Sequence, residues 1–171
     1  MNNTLTIEDE TGKKVVVLPQ IIFGGKRTMQ WKEVENYLIQ YVGKMVEVQE
    51  TKDVVYIGRD FADEYTNSIY TKKLKGGLVK AKANLAQGIV EIIEIANGKR
   101  WSEDYEKKHK KKAQKGWYRY NSRFALPIVN EKGAIERYNI YQVVLIVRFA
   151  ADEKLYLYDI QNIKKETCKP L

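Results

Sequence analysis

The second half of the chain constrains the fold most strongly, because three long segments there have the composition of β-strands. Residues 117–129, 135–149 and 154–163 are rich in Val, Ile, Tyr and Phe, which are the residues that strands favour. Only the short turns 130–133 and 151–153 separate them. Connections of this length join antiparallel neighbours, whereas parallel strands need a much longer crossover. The sequence therefore predicts a three-stranded antiparallel sheet.

Three segments before residue 116 have patterns that are typical of helices. The apolar residues within 77–96 would lie on one face of a helix. This spacing predicts a helix that ends at Asn97-Gly98. A helix of about 12 residues is predicted after a Thr28 cap, because apolar side chains follow it at a spacing of three to four. A further helix is predicted over 102–115, where Ser102 is a suitable cap and acidic residues precede lysines by four positions.

These elements together predict an α+β fold in which N-terminal helices and short strands pack on the C-terminal antiparallel sheet. Short β-branched strands are expected over 13–19, 45–48 and 54–58, and the tyrosine-rich stretch 63–77 is expected to be a loop with at most one turn of helix. We expect one domain over 1–171, divided into an N-terminal extension (1–23), a mainly helical half (24–116) and the sheet (117–167).

Composition excludes several classes of function. The chain has one histidine, His109, and one cysteine, Cys168, so neither a His/Cys metal site nor an intrachain disulfide can form. A Gly-x-Ser-x-Gly hydrolase motif is missing from the sequence. No apolar run reaches the roughly 18–20 residues of a membrane span, and the first residues lack the apolar segment of a signal peptide. We expect a cytoplasmic protein with no membrane partner, no metal and no cofactor.

Nearly all the excess positive charge lies in one segment. The formal net charge is +8, and residues 99–123 carry ten Lys or Arg residues against three acidic ones. A basic charge concentrated in this way favours a polyanion as partner. The alternative is a solvated helix face with no partner. The lysines predicted to contact RNA are six of this segment and four others: Lys107, Lys108, Lys110, Lys111, Lys112, Lys115, Lys72, Lys75, Lys82 and Lys164.

His109 is the candidate acid or base for RNA cleavage without a metal. Within the predicted helix it shares a face with Tyr105 and Ala113, and a lone histidine on a packed face is also typical of an ordinary core residue. Histidine titrates near neutral pH and can take a proton from the 2′-hydroxyl group of RNA or give one to the leaving oxygen.

The strand that follows offers groups to stabilise charge on phosphorus. Alternation places Arg119 and Arg123 on one face, expected to be about 7 Å apart, where guanidinium groups can hold phosphate oxygens. Tyr120 and Ser122 lie on the opposite face. Arg148 is expected to support the site from the adjacent strand.

Four stretches of the chain carry a likeness to a known family: GWYRYNSRFALPI (116–128), RYNIYQVVLIVRFA (137–150), KLYLYDIQNIKKET (154–167) and residues 70–96. Over roughly residues 24–171 the chain resembles a domain family of phages and conjugative elements that is grouped with the barnase–EndoU–colicin–RelE-like nuclease fold. The resemblance implies metal-independent RNA cleavage. The polar motif positions are His109, Arg119, Arg123, Arg148, Asp159, Lys164 and Lys165.

One departure from that family affects the expected chemistry. Its members often carry histidine where this chain has Phe149. If that histidine is one half of an acid/base pair, the resemblance implies that cleavage is impaired here or that Tyr120, Ser122 or a lysine replaces it. The chain also looks similar to anti-CRISPR proteins of conjugative elements, one class of which causes truncation of the Cas9 guide RNA. This implies a Cas9–guide RNA complex as a partner.

Three functions therefore remain open from the sequence. The first is a mobile-element ribonuclease. The second is a non-catalytic module that binds RNA or a ribonucleoprotein. The third is an accessory protein of DNA packaging or conjugation that binds other proteins.

Overall fold

A computed structural model describes residues 3–24, 28–102 and 116–171 of the chain. Within them the protein is α+β, with a large curled sheet of eight strands and a layer of short helices. The strands are β1 (Leu5–Glu8), β2 (Lys14–Val17), β3 (Met45–Glu47), β4 (Val54–Tyr56), β5 (Asn97–Ser102), β6 (Gly116–Val129), β7 (Ile135–Phe149) and β8 (Leu155–Lys169). The helices are α1 (Trp31–Leu38), α2 (Phe61–Asn67), α3 (Ile69–Lys73), α4 (Gly77–Leu85) and α5 (Ile89–Glu94).

The three long strands confirm the prediction made from the second half of the sequence. β6, β7 and β8 pair antiparallel in this order. Their turns need left-handed backbone, which Gly133 (φ 80°) and Glu153 (φ 66°) provide. β8 runs to Lys169, six residues further than predicted, because it follows β7 along most of its length.

The short strands extend this central sheet on both sides, in the order β1-β2-β6-β7-β8-β4-β3. β2 and β4 join it in parallel, beside β6 and β8 respectively. β5 pairs antiparallel with the first part of β6, and β2 pairs with a later part of the same edge. Residues of the expected N-terminal extension thus supply two strands of the sheet.

Two predictions for the helical layer were wrong. The stretch 63–77 is not a loop with at most one turn of helix, because the two helices α2 and α3 occupy much of it. The buried residues of α2 include Tyr65 and Thr66, whose polar atoms hid the helical spacing. The single helix predicted over 77–96 is interrupted by a 3-10 turn, Ala86–Gly88. A side chain at Gly88 would lie 3.0 Å from Leu18 Cδ2, so the interruption falls where the helix passes close to the strand layer.

One predicted helix start also differs from the structure. α1 begins at Trp31 with Gln30 as the preceding residue, and not with a Thr28 cap. Ser102 is the last residue of β5. The rest of the helix predicted over 102–115, for which Ser102 is the predicted cap, lies outside the described residues. No helix in the described ranges is long and apolar enough to cross a membrane.

The two faces of the sheet differ in what covers them. On the inner face, Tyr120, Phe124 and Leu145 pack with the helices in the main core. On the outer face two small apolar clusters form, one around Trp117 and Ile146, and one that includes Ala125 and Ile140. The alternation predicted along β6 is confirmed, since its even-numbered residues from Tyr118 to Phe124 face the core.

A buried ion pair attaches the helical layer to the sheet. Lys82 of α4 lies 2.7 Å from Asp159 of β8, and both side chains are fully buried. The ammonium group also donates to Thr71 Oγ1 at 2.6 Å and lies 4.5 Å from the centre of the Tyr65 ring. Burial lowers the pKa of Lys82, and the Asp159 carboxylate opposes that shift. Lys82 therefore cannot contact RNA, which corrects its place among the predicted RNA-binding lysines.

We predict that breaking this pair costs far more than replacing it. Asp159→Asn leaves a buried ammonium group without its counterion and should lower the free energy of unfolding by about 3–5 kcal/mol. The double variant Lys82→Met, Asp159→Leu removes both charges and should recover much of that stability. Urea unfolding of the three proteins at pH 7 measures the difference. A decrease below about 1 kcal/mol, as for an exposed pair, would contradict the prediction.

Candidate nucleic-acid interface

Most of the positive charge of residues 99–123 lies in residues 103–115, called the basic segment below, which connect β5 to β6. These two strands are paired with each other. Ser102 at the end of β5 and Trp117 at the start of β6 are register partners. The chain between them thus leaves the sheet and re-enters it at adjacent positions. His109 lies in this connection, outside the described residues, as do Tyr105, Ala113 and the predicted RNA-binding residues Lys107, Lys108, Lys110, Lys111, Lys112 and Lys115.

A row of aromatic side chains crosses the base of this hairpin. Trp101 of β5 contacts Tyr118 of β6 with ring centres 5.0 Å apart, and Tyr118 lies 6.0 Å from Phe149 of β7. The indole of Trp101 covers Gly116, where a Cβ atom would lie 2.1 Å from Cη2. Only glycine fits there, and its φ of 132° also disfavours other residues. Trp101 remains 50% exposed, which leaves its ring available to a partner.

Lysine and tyrosine side chains fix the inner side of this row. Lys99 Nζ lies 4.4 Å from the centre of the Tyr118 ring and 2.9 Å from Asp53 Oδ2. The same carboxylate accepts a hydrogen bond of 2.7 Å from the Tyr120 hydroxyl. Burial acts against ionisation of Asp53, yet hydrogen bonds from Tyr120, Lys99 and Thr51 lower its pKa overall. Asp53 therefore ties the turn between β3 and β4 to the hairpin.

The two hydroxyl groups predicted as replacement acids or bases lie in the interior. Tyr120 is fully buried, and burial raises its pKa well above the usual value. Ser122 is also buried and donates to the carbonyl of Ile92 at 2.8 Å. Both point away from Arg119 and Arg123, which lie on the outer side of β6. The structure therefore does not bring the hydroxyls and the guanidinium groups together.

Arg119 and Arg123 share the outer face as predicted, but the expected separation of 7 Å was wrong. Four residues along a strand span about 13 Å. Arg119 Nε donates to Ser102 Oγ at 3.2 Å, and its register partner on β5 is Arg100. Arg100 is exposed and donates to Asn121 Oδ1 at 3.0 Å. Two arginines thus lie side by side next to the basic segment.

The guanidinium group of Arg123 contacts three groups and joins separate parts of the chain. It lies 2.9 Å from Asp9, which follows β1, and 3.0 Å from Glu166 of β8. It also donates to the carbonyl of Lys14 at 3.2 Å. Its side chain is only 12% exposed. These contacts join the N-terminal strands to the central sheet and occupy the guanidinium group that was predicted to stabilise charge on phosphorus.

Arg148 lies on the outer face beside the start of β6. Its register partners are Trp117 and Tyr156, and its guanidinium carbon is 5.0 Å from the centre of the Tyr156 ring. The Nε atom is buried and has no hydrogen-bond partner among the described residues. The Tyr156 ring lies 5.7 Å from that of Tyr56, over which Lys154 is placed. This forms a second set of stacked cations and rings.

The remaining predicted lysines lie in different places. Lys72 in α3 and Lys75 just after it are exposed on the helical layer, whereas Lys164 is exposed on β8. The described residues hold no group of three or more acidic, histidine or cysteine side chains that suits a metal ion.

Trp101, Lys99 and Arg100 were missed as site residues because one predicted helix ends just before them and the next begins just after. The alternation of side chains along residues 99–101 could have indicated a strand. Lys99 and Trp101 lie on one side of β5, and Arg100 lies on the other.

In comparisons with protein-family models, curated proteins and solved structures, the chain gives no significant match. The case for a function therefore rests on geometry and charge.

Proposed function

We propose that this protein binds single-stranded RNA through the β5–β6 hairpin and the basic segment that the hairpin carries. The observation that supports this is the position of the most basic segment, between two paired strands that themselves carry exposed Trp101 and Arg100. Lysine-rich segments bind the phosphate backbone without regard to sequence. Aromatic rings and guanidinium groups beside them add stacking surfaces for bases.

Single-stranded RNA fits this surface better than a duplex does. Bases of a single strand are free to stack on aromatic side chains and arginines, whereas in an A-form duplex they are stacked on each other. Trp101 is half exposed, and its edge-to-face contact with Tyr118 leaves ring surface uncovered. Each base stacked on an aromatic ring contributes about 1–3 kcal/mol to binding. Stacking adds an affinity that the lysines alone cannot give.

A metal-independent ribonuclease is the second candidate function. One specific observation favours it: two arginines lie near the start of β6. Arg148 of β7 is the register partner of Trp117, and Arg119 lies two residues after Trp117 on β6. Both lie on the outer face next to the segment that carries His109. Against it, Arg123 is clamped, and Tyr120 and Ser122 are buried. With Phe149 in place of a second histidine, binding without cleavage is the simpler proposal.

Lysine-dependent binding has a defined salt response. We predict that Lys110→Gln, Lys111→Gln, Lys112→Gln in one triple variant weakens binding of a 12-nucleotide RNA. It should also make the log–log salt slope shallower by about 0.7 for each phosphate group that the variant no longer binds. Fluorescence anisotropy over a salt series measures both.

The matched control replaces three exposed lysines elsewhere with glutamine: Lys32→Gln, Lys44→Gln and Lys132→Gln. Its net charge changes by the same amount, so general attraction falls equally. The proposal requires the control to keep the wild-type slope. Equal slopes for the two triple variants would show that no particular lysines hold the RNA.

Cleavage is tested on the same RNA, labelled at its 5′ end and incubated with EDTA. The binding proposal predicts intact RNA for the wild type and unchanged affinity for His109→Ala. Products with 2′,3′-cyclic phosphate ends that disappear in His109→Ala would establish the second candidate instead. A parallel assay on a Cas9 guide RNA, free and bound to Cas9, tests whether either activity depends on that ribonucleoprotein.

A further inference from the structure

A polar trough of about 380 Å³ lies in the middle of the outer face. Neighbouring residues of β6, β7 and β8 form its floor, among them Asn121, Gln142 and Lys164. A second cleft of about 550 Å³ adjoins it, since Asn97 and Arg123 line both. Volumes of roughly 300–1,000 Å³ are typical of sites that hold small organic groups. The outer face therefore contains a space of the size of a binding site.

The pairing of the short strands explains why the trough exists. β5 pairs with β6 at Asn121, and β2 pairs with it from Phe124 onwards. The edge of β6 between them has no strand partner in the described ranges, and Arg123 fills part of the gap. Apolar clusters around Ile146 and Ile140 bound the polar region on either side.

Carboxamide side chains dominate the chemistry of this trough. Asn97, Gln142 and Asn162 are exposed, and their side chains make no hydrogen bond with any described residue. Asn121 differs, because its Oδ1 atom accepts from Arg100. Every carboxamide has two N–H donors and a carbonyl acceptor. Three of them with unused donors and acceptors thus line one cavity.

The charges at the trough are compatible with an RNA strand. Glu166 is bound by Arg123, which leaves Lys13 and Lys164 at the border to attract phosphate groups. The adjoining cleft also carries Glu50 and Glu94. These carboxylates repel phosphate, so the RNA backbone fits on the Lys164 side.

We propose that the trough reads the bases of the bound RNA strand, with the carboxamides of Asn97 and Gln142 pairing with base edges. This inference rests on the proposed RNA binding. Asn and Gln form paired hydrogen bonds with base edges, and each such pair discriminates against a wrong base. Phosphate contacts by the basic segment position the strand, while the trough gives preference among bases.

The test compares the wild type with Asn97→Ala, Gln142→Ala in one double variant. Both side chains are exposed and make no hydrogen bond with the described residues, so the variant should fold normally, which urea unfolding verifies. Affinities for 12-nucleotide oligo(A), oligo(C) and oligo(U) are measured at one salt concentration. We expect the wild type to prefer one of them, and the variant to reduce that preference by at least about fivefold. Its salt slope should stay unchanged, because phosphate contacts remain.

A control and a second measurement separate the possible failures. Gln40→Ala removes an exposed carboxamide from the helical layer and should keep the wild-type preference. In NMR spectra of the wild type, the side-chain amide signals of Asn97 and Gln142 should shift on addition of the preferred oligonucleotide, and that of Gln40 should not. Binding without preference, or with preference unchanged in the double variant, overturns the trough alone. If no oligonucleotide binds, the proposed function fails as well.

Discussion

A buried ion pair between Lys82 and Asp159 joins the helical layer to the inner face of the sheet. It connects α4 to β8 in the interior, and Thr71 of α3 shares the same ammonium group. The lysine also lies near the rings of Tyr65 and Tyr70, so three helices meet at one charge. Because a buried charge without its partner is costly, this arrangement fixes the helical layer on the inner face. The outer face carries no helix in the described part of the chain.

The outer face is shaped by short strands that share one edge of β6. β5 and β2 occupy successive parts of that edge, and Arg123 ties the N-terminal strands to β8 through Asp9 and Glu166. The hairpin that carries the basic segment and the polar trough lie along this same strand. A single long strand thus positions the surface proposed to hold RNA and the surface proposed to read it.

The sequence predicted those parts of the fold that depend on local pattern. Alternation and short turns were enough for β6, β7 and β8, and for the faces of β6. The parallel additions of β2 and β4 depend on residues far away in the chain, so no local pattern shows them. Lys82 gave the same signal as any surface lysine, since its partner is 77 positions away. Arg123 was similarly interpreted as free, because Asp9 lies 114 positions before it.

The most direct test of the central claim is to map where RNA touches the protein. Photocrosslinking with a single-stranded RNA that contains 4-thiouridine, followed by mass spectrometry of the peptides, identifies the contacting residues. Binding through the hairpin predicts adducts on peptides from β5 and the start of β6, with Trp101 among the modified residues. Adducts confined to the helical layer, between α1 and α5, would contradict it.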